Sequence, residues 1–199
     1  VSRAFWNCIR NVNKSELFFS YSFVSVTTEI PSARTLICIV LRTWYYFLMS
    51  HFLLKTEPSS YSIDDLKRDK KTSWGGVRNF QARNIIRDNM KKGDVCIIYH
   101  SSCEIPSAVG VAEIMTNPYP DPLQFESSSD YFDATAKKEN PRWFCVDILF
   151  KEKFKNPLSL TAMRAIPTLS DMRLLSRGNR LSVMSLSKKH FDHITKLST

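Results

Sequence analysis

Three aromatic residues of this sequence stand beside cationic or polar side chains that could bind a planar, anionic ligand. Trp74 and Arg78 share the stretch SWGGVRNFQARN, Trp143 directly follows Arg142 in NPRW, and Tyr99 begins YHSSC. Aromatic faces stack on nucleobases, and arginine pairs with phosphates and base edges. The pattern predicts a nucleic-acid site, although the same aromatic residues could instead belong to an ordinary core.

Nucleophilic catalysis is the main chemical alternative. His100 ends an apolar run and is followed by Ser101, Ser102 and Cys103, so a base could lie beside a nucleophile. The sequence contains no GxSxG elbow, no Walker loop and no GxGxxG, and it identifies no oxyanion donors. We therefore expect a protein that is not an enzyme and needs no cofactor. An enzyme that uses His100 and Cys103 is the least favoured alternative.

The cysteine and histidine residues do not have the spacing of a metal site. The number of cysteines is odd and no CxxC is present, so we expect no bound metal. Without a clear signal peptide, reduced thiols in an intracellular protein are the simplest interpretation. The five cysteines are Cys8, Cys38, Cys96, Cys103 and Cys145.

Composition and charge indicate a folded, basic protein. The 199 residues are 43% hydrophobic and 12% aromatic, which excludes a disordered composition and fits a one-domain length. The 28 Lys and Arg residues outnumber the 19 Asp and Glu residues, giving a net charge of +9. This charge favours anionic partners, with nucleic acid first and an acidic membrane surface second.

The chain changes character near residue 49. The apolar run Thr35–Leu41 ends at Arg42 and is far shorter than the roughly 20 residues of a membrane span. We predict that residues 1–48 are an extension outside the domain, poorly ordered or non-native, and that residues 49–199 form the domain. A membrane or targeting segment at residues 1–48 is the alternative.

Residues 49–199 alternate strand-like and helix-like stretches. Two helices are predicted to begin at Ser62 and Asn79, the second closing at Gly93, and residues 117–142 form a long proline-rich loop. We expect short helical pieces in LSLTAMRAI and LSDMRLL and a last helix in KKHFDHITKL. The predicted strands are HFLLK, DVCIIYH, SAVGVAEIM, WFCVDILFKEKF and RLSVMSLS. This order predicts an α+β fold with a small mixed sheet or barrel.

Several blocks together resemble the EVE domain family. The blocks, in chain order, are FLLKTEPSSYSIDDL, WGGVRNFQARN, YHSSC, VGVAEI, YPDP, ENPRWFCVDI and RLSV. The resemblance covers roughly residues 51–196 and does not reach residues 1–48. It implies a PUA-like curved mixed sheet or pseudo-barrel with flanking helices, related to the YTH readers of methylated RNA. Eukaryotic members carry a basic N-terminal tail, whereas this N-terminal stretch is apolar. Two locations therefore stay open: the cytoplasm if the source is bacterial, and the nucleus if it is eukaryotic.

The resemblance also implies a non-catalytic module that holds a modified base in a pocket, with modified cytosine in DNA as the leading ligand. If the pocket residues of the family are transferred motif by motif, the pocket would contain Lys55, Thr56, Glu57, Trp74, Arg78, Asn79, Tyr99, His100, Ser101, Arg142 and Trp143.

Flipping a base out of a duplex costs a few kcal/mol, and stacking it on an aromatic ring returns about 1–3 kcal/mol. Contacts to phosphates must therefore supply the rest of the binding free energy.

Arg83 and Arg87 are the further phosphate candidates, and the alternative for both is a solvated helix face. We expect DNA rather than RNA as the partner, no membrane partner, a salt-dependent affinity and a monomeric protein. The rival binding function is a general RNA-binding PUA-like module without selectivity for a modification.

Overall fold

A computed structural model describes residues 49–199, so the predictions made for residues 1–48 lie outside the described part of the chain. Four α-helices are described within it: α1 (Ile63–Asp69), α2 (Phe80–Asn89), α3 (Leu160–Arg164) and α4 (Lys188–Ser198). The seven strands are β1 (His51–Thr56), β2 (Lys71–Trp74), β3 (Val95–His100), β4 (Ser107–Ile114), β5 (Tyr119–Pro120), β6 (Phe144–Ser159) and β7 (Val183–Leu186).

The strands build one open mixed sheet. Six of them lie in the order β2-β6-β4-β3-β1-β7, and the two-residue β5 pairs with β6. The β1–β3 pair is parallel and the other pairs are antiparallel. The outer strands β2 and β7 do not pair with each other, so the sheet is not closed. The predicted α+β class with flanking helices is confirmed.

The core lies on the central strands of this sheet. Leu53, Leu54, Ile97 and Ile98 are at most 1% exposed, and because consecutive strand residues point to opposite faces, both faces of β1 and β3 are covered here. The parallel register pairs Thr56 with His100 at the carboxyl ends of both strands. The segments that follow β1 and β3 therefore meet at one edge of the sheet.

The predicted helix starts are correct, and one predicted end is wrong. Ser62 begins α1 through a reciprocal capping box with Asp65. Asn79 begins α2, where its side-chain oxygen accepts hydrogen bonds from two backbone N–H groups. Gly93 does not close this helix, because α2 ends at Asn89. Gly93 instead has φ 94° in the turn before β3, and its N–H donates to the Ile114 carbonyl.

Two parts of the sheet differ from the sequence-based prediction. Strand β2 was missed, because the short sequence KTSW carries little apolar pattern and is held by antiparallel pairing with β6. Strand β6 runs past the predicted WFCVDILFKEKF to Ser159, where it still pairs with β4. The long loop is mostly irregular, as predicted, but it contains β5 and a 3-10 turn at Pro122–Phe125.

Candidate nucleic-acid interface

The predicted site residues separate into two groups and one core residue. Trp74 is 9% exposed and belongs to the hydrophobic core. The first group lies at the carboxyl ends of β1 and β3 and contains Lys55, Thr56, Glu57, Tyr99, His100 and Ser101. The second group surrounds the start of α2 and the end of the long loop and contains Arg78, Asn79, Arg83, Arg142 and Trp143. Arg87 belongs to neither group and lies in the last turn of α2.

The first group is held together by its own hydrogen bonds. The backbone N–H of Ser101 donates to the Thr56 carbonyl at 2.8 Å, and the Thr56 hydroxyl donates to the Tyr61 carbonyl at 2.9 Å. His100 Nε2 accepts a hydrogen bond from the Ile63 N–H at 3.1 Å, and burial lowers the pKa of His100. The His100 lone pair is thus occupied at the start of α1, and a base beside Cys103 would require this bond to break.

Burial also shifts the pKa values of two other residues in this group, Tyr99 and Lys55. Tyr99 is 2% exposed, and burial raises its pKa to about 12, so its ring offers no open face for stacking. Burial lowers the pKa of Lys55, whose backbone N–H donates to the Ser182 carbonyl at 2.7 Å. Glu57 is exposed, and its carbonyl oxygen accepts from the N–H of Tyr61. The first group therefore mainly joins the strand ends to the segments beside them.

A half-exposed aromatic ring lies in the second group, on a residue that sequence reasoning missed. The Phe80 ring is 51% exposed and stacks on the Trp143 ring, with centroids 5.0 Å apart and planes at 27°. The guanidinium carbons of Arg83 and Arg142 lie 5.1 and 5.5 Å from the centre of the Phe80 ring. Trp143 is only 5% exposed, and its indole N–H donates to Asp133 at 2.7 Å. Trp143 therefore supports the ring that solvent reaches.

Arg78 is used within the fold. Its Nη1 donates to the Asp121 carboxylate at 2.8 Å and its Nε to the Tyr131 carbonyl at 2.9 Å. Its guanidinium carbon lies 5.4 Å from the centre of the Tyr131 ring and 5.3 Å from that of the Trp143 ring. Asp121 is 1% exposed and also accepts from the Gly76 N–H at 2.9 Å. Arg78 thus fastens the long loop to the segment before α2.

Gln124 makes a second connection between the long loop and β6. Its amide nitrogen donates to the carbonyls of Asp121 and Trp143, and its amide oxygen accepts from the N–H groups of Arg142 and Trp143. The side chain is fully buried, so all four bonds are shielded from water. This arrangement fixes the backbone on which Arg142 and Trp143 stand.

The two predicted phosphate contacts differ in how their charge is balanced. Arg87 donates to the Asp88 carboxylate through Nε at 2.6 Å and Nη2 at 2.9 Å. Arg83 donates to the Arg142 carbonyl at 2.7 Å and to the Asn84 side chain, and no carboxylate partner is found for it within residues 49–199. Burial lowers the pKa of Arg83. Arg83 is therefore the stronger phosphate candidate.

A cleft of about 380 Å³ opens beside the start of α2. Asn79 and Gln81 form one wall, and the segment 173–181 forms the other. The lining contains no aromatic side chain. It includes three arginines that sequence reasoning also missed: Arg173, Arg177 and Arg180. Their spacing in RLLSRGNR was visible in the sequence, but the wall that faces them comes from a segment almost one hundred residues earlier.

Among residues 49–199, no group of three or more His, Cys, Asp and Glu side chains is arranged to hold a metal ion. None of the helices described here has the length and apolar character needed to cross a membrane.

Comparisons with known proteins place the chain in a family. Residues 50–197 match the EVE domain. The chain is 37% identical to human thymocyte nuclear protein 1 over 169 residues, which cover 75% of this chain and 74% of the relative. A Pseudomonas syringae crystal structure is 40% identical, with a TM-score of 0.72, over 75% of this chain and 99% of that one.

A crystal structure of the human THYN1 protein in complex with 5-methylcytosine-containing DNA is also similar. Its sequence is 35% identical and its TM-score is 0.71, with 75% of this chain and 97% of that chain covered. The match to the family over most of the chain confirms the resemblance on which the site prediction was based. The chain belongs to the EVE domain family.

Proposed function

We propose that this protein binds nucleic acid and reads a modified base, with modified cytosine in DNA as the ligand. The human relative in complex with 5-methylcytosine-containing DNA supports the ligand class. The net charge of +9 supports an anionic partner. The observation that carries the proposal in this chain is the half-exposed Phe80 ring, which rests on Trp143 between Arg83 and Arg142.

The Phe80 ring is suited to stacking on an exposed base. Trp143 supports its inner face, so the ring is already ordered before a ligand arrives. Base–aromatic stacking contributes about 1–3 kcal/mol, which offsets the few kcal/mol needed to flip a base. Arg83 has no carboxylate partner among residues 49–199 and lies where it can neutralise an adjacent phosphate, whereas Arg142 lies 3.6 Å from the Asp133 carboxylate and would exchange that partner for a phosphate.

Recognition of the modification is a smaller effect than binding itself. One buried methyl group contributes about 0.8 kcal/mol, which is roughly a fourfold difference in affinity. We therefore expect modest selectivity for methylcytosine, unless a polar group in the site also rejects the plain base. The first group of residues, at the ends of β1 and β3, stays a predicted part of this pocket together with Trp74.

A binding assay with the full 199-residue chain tests the proposal. Fluorescence anisotropy would compare matched DNA duplexes with and without one 5-methylcytosine. Phe80→Ala should weaken binding about 5- to 150-fold, the equivalent of 1–3 kcal/mol of stacking. Leu197→Ala removes another exposed apolar side chain, on α4, and should leave the affinity unchanged.

The possible results separate the candidate functions. Equal loss of affinity in both variants would refute a stacking role for Phe80. Equal affinity for the two DNA duplexes and for an RNA duplex of the same sequence would replace the reader with a general PUA-like binding module. The absence of catalysis and the monomeric state remain part of the proposal. The name of the human relative supports a nuclear location if the source is eukaryotic.

A further inference from the structure

The cleft beside α2 has the charge of an anion site. Arg173, Arg177 and Arg180 line it, and its lining contains no carboxylate. All three side chains belong to exposed residues, and no ion pair is found for them in the part of the chain that the structure describes. Three arginines around one cleft, with no carboxylate in the lining, favour an anionic ligand there.

The segment that carries the arginines is ordered by its own hydrogen bonds. The Asn179 side chain donates to the Arg173 carbonyl at 2.9 Å and accepts from the Leu181 N–H at 3.0 Å. Gly178 has φ 74°, which lets the backbone turn between Arg177 and Arg180. The arginines therefore start from a fixed backbone, and less entropy is lost when they bind a ligand.

The cleft also adjoins the stacking surface. Asn79 and Gln81, which line the cleft, flank Phe80 in the sequence at the start of α2. The Asn79 side-chain oxygen accepts from the N–H groups of Gln81 and Ala82, which fixes this side chain at the edge of the cleft. Because the cleft begins at the two chain neighbours of Phe80, a strand whose base stacks on Phe80 would carry its neighbouring phosphates towards the cleft.

We propose that the arginine cleft binds backbone phosphates of the nucleic acid, next to the base on Phe80. This proposal rests on the proposed function for its ligand and adds a second contact surface to it. Arginine suits the task because its planar fork pairs with two phosphate oxygens at once. The cleft then contributes affinity and register but no discrimination between modified and plain bases.

The salt dependence of binding tests the cleft. The full chain and its Arg177→Ala/Arg180→Ala variant would be titrated with plain and methylated duplexes at several salt concentrations. Each phosphate contact contributes about 0.9 to the slope of log K against log salt. The double variant should lower the magnitude of this slope by about 1.8 on both duplexes and leave their affinity ratio unchanged.

A second double variant controls for net charge. Lys67→Ala/Lys196→Ala removes two exposed lysines from α1 and α4, neither of which lines the cleft. Its slope should stay close to that of the unmodified chain. Equal slopes for the two double variants would overturn the cleft proposal. Equal affinity for plain and methylated duplexes would refute the reading of a modified base but not the arginine cleft. The cleft is tested by the salt slope, which does not depend on the modification.

Inorganic phosphate at constant ionic strength distinguishes the source of the anion. Weak inhibition of DNA binding by phosphate supports a site shaped for the backbone. Strong inhibition of the unmodified chain, lost in the arginine double variant, would identify a free-phosphate site and overturn the backbone assignment. No binding of the unmodified chain to either duplex would overturn both proposals.

Discussion

Replacing Arg78 by alanine should destabilise the fold far more than an ordinary surface arginine does. The variant loses the 2.8 Å contact to Asp121 and both hydrogen bonds to the Tyr131 carbonyl. Removing one partner of a buried ion pair costs about 3–5 kcal/mol. The Arg78 side chain is 22% exposed, and Asp121 keeps two backbone N–H donors, from Gly76 and Leu123. We therefore expect a loss of about 2–3 kcal/mol in the free energy of unfolding.

Urea denaturation of the full chain measures this loss. With an m-value of about 2 kcal/mol per molar urea, the midpoint should fall by about 1–1.5 M. Arg78→Lys keeps the charge but not the fork, so its midpoint should lie between those of Arg78→Ala and the unmodified chain. The control is Arg87→Ala, which breaks an exposed pair with the adjacent Asp88 and should shift the midpoint little. Equal midpoints for Arg78→Ala and Arg87→Ala would refute the role of Arg78 in fastening the long loop.

Two smaller predictions concern stability. Gly76→Ala should cost more than Gly178→Ala, because both residues have φ 74° but a Cβ at position 76 would lie 2.9 Å from Tyr131 Cζ, whereas nothing lies within 4 Å at position 178. The difference in thermal midpoint isolates this contact, and identical midpoints would show that the Tyr131 ring moves aside freely. The depressed pKa of His100 predicts stability that is present above its ordinary value of 6.5 and is lost as the pH falls through the folded-state pKa. Urea midpoints between pH 7.5 and 5 should therefore fall less for His100→Gln than for the unmodified chain, and parallel curves would contradict this.

Local chemistry made some elements predictable from the sequence. Ser62 and Asn79 mark the starts of α1 and α2, because a side-chain oxygen at such a position accepts free N–H groups whatever the rest of the fold does. The apolar runs around Leu53 and Ile97 likewise predict buried strands. The EVE family blocks then supplied the fold that these elements share.

The candidate site was less predictable, because it depends on contacts between distant segments. Tyr99 and Trp74 fit a stacking pattern in the sequence, but both are buried in the core. Phe80 resembles any apolar residue of an amphipathic helix until Trp143 is found beneath it. The balance of charge at Arg78 depends on Asp121, which lies 43 positions away in the YPDP block, and nothing in the sequence links the two residues.

The strand order has a consequence for how the protein is made. Strand β1, the first in the described chain, lies between β3 and β7, the last. During synthesis at about 5–20 residues per second, β1 emerges roughly ten seconds before β7 exists to cover it. Until then its backbone and the apolar residues around Leu53 form an open edge, the kind that pairs with other chains. Mutations that weaken β7 should therefore increase the chaperone dependence and the aggregation of the nascent chain, even when they leave the ligand-binding surface unchanged.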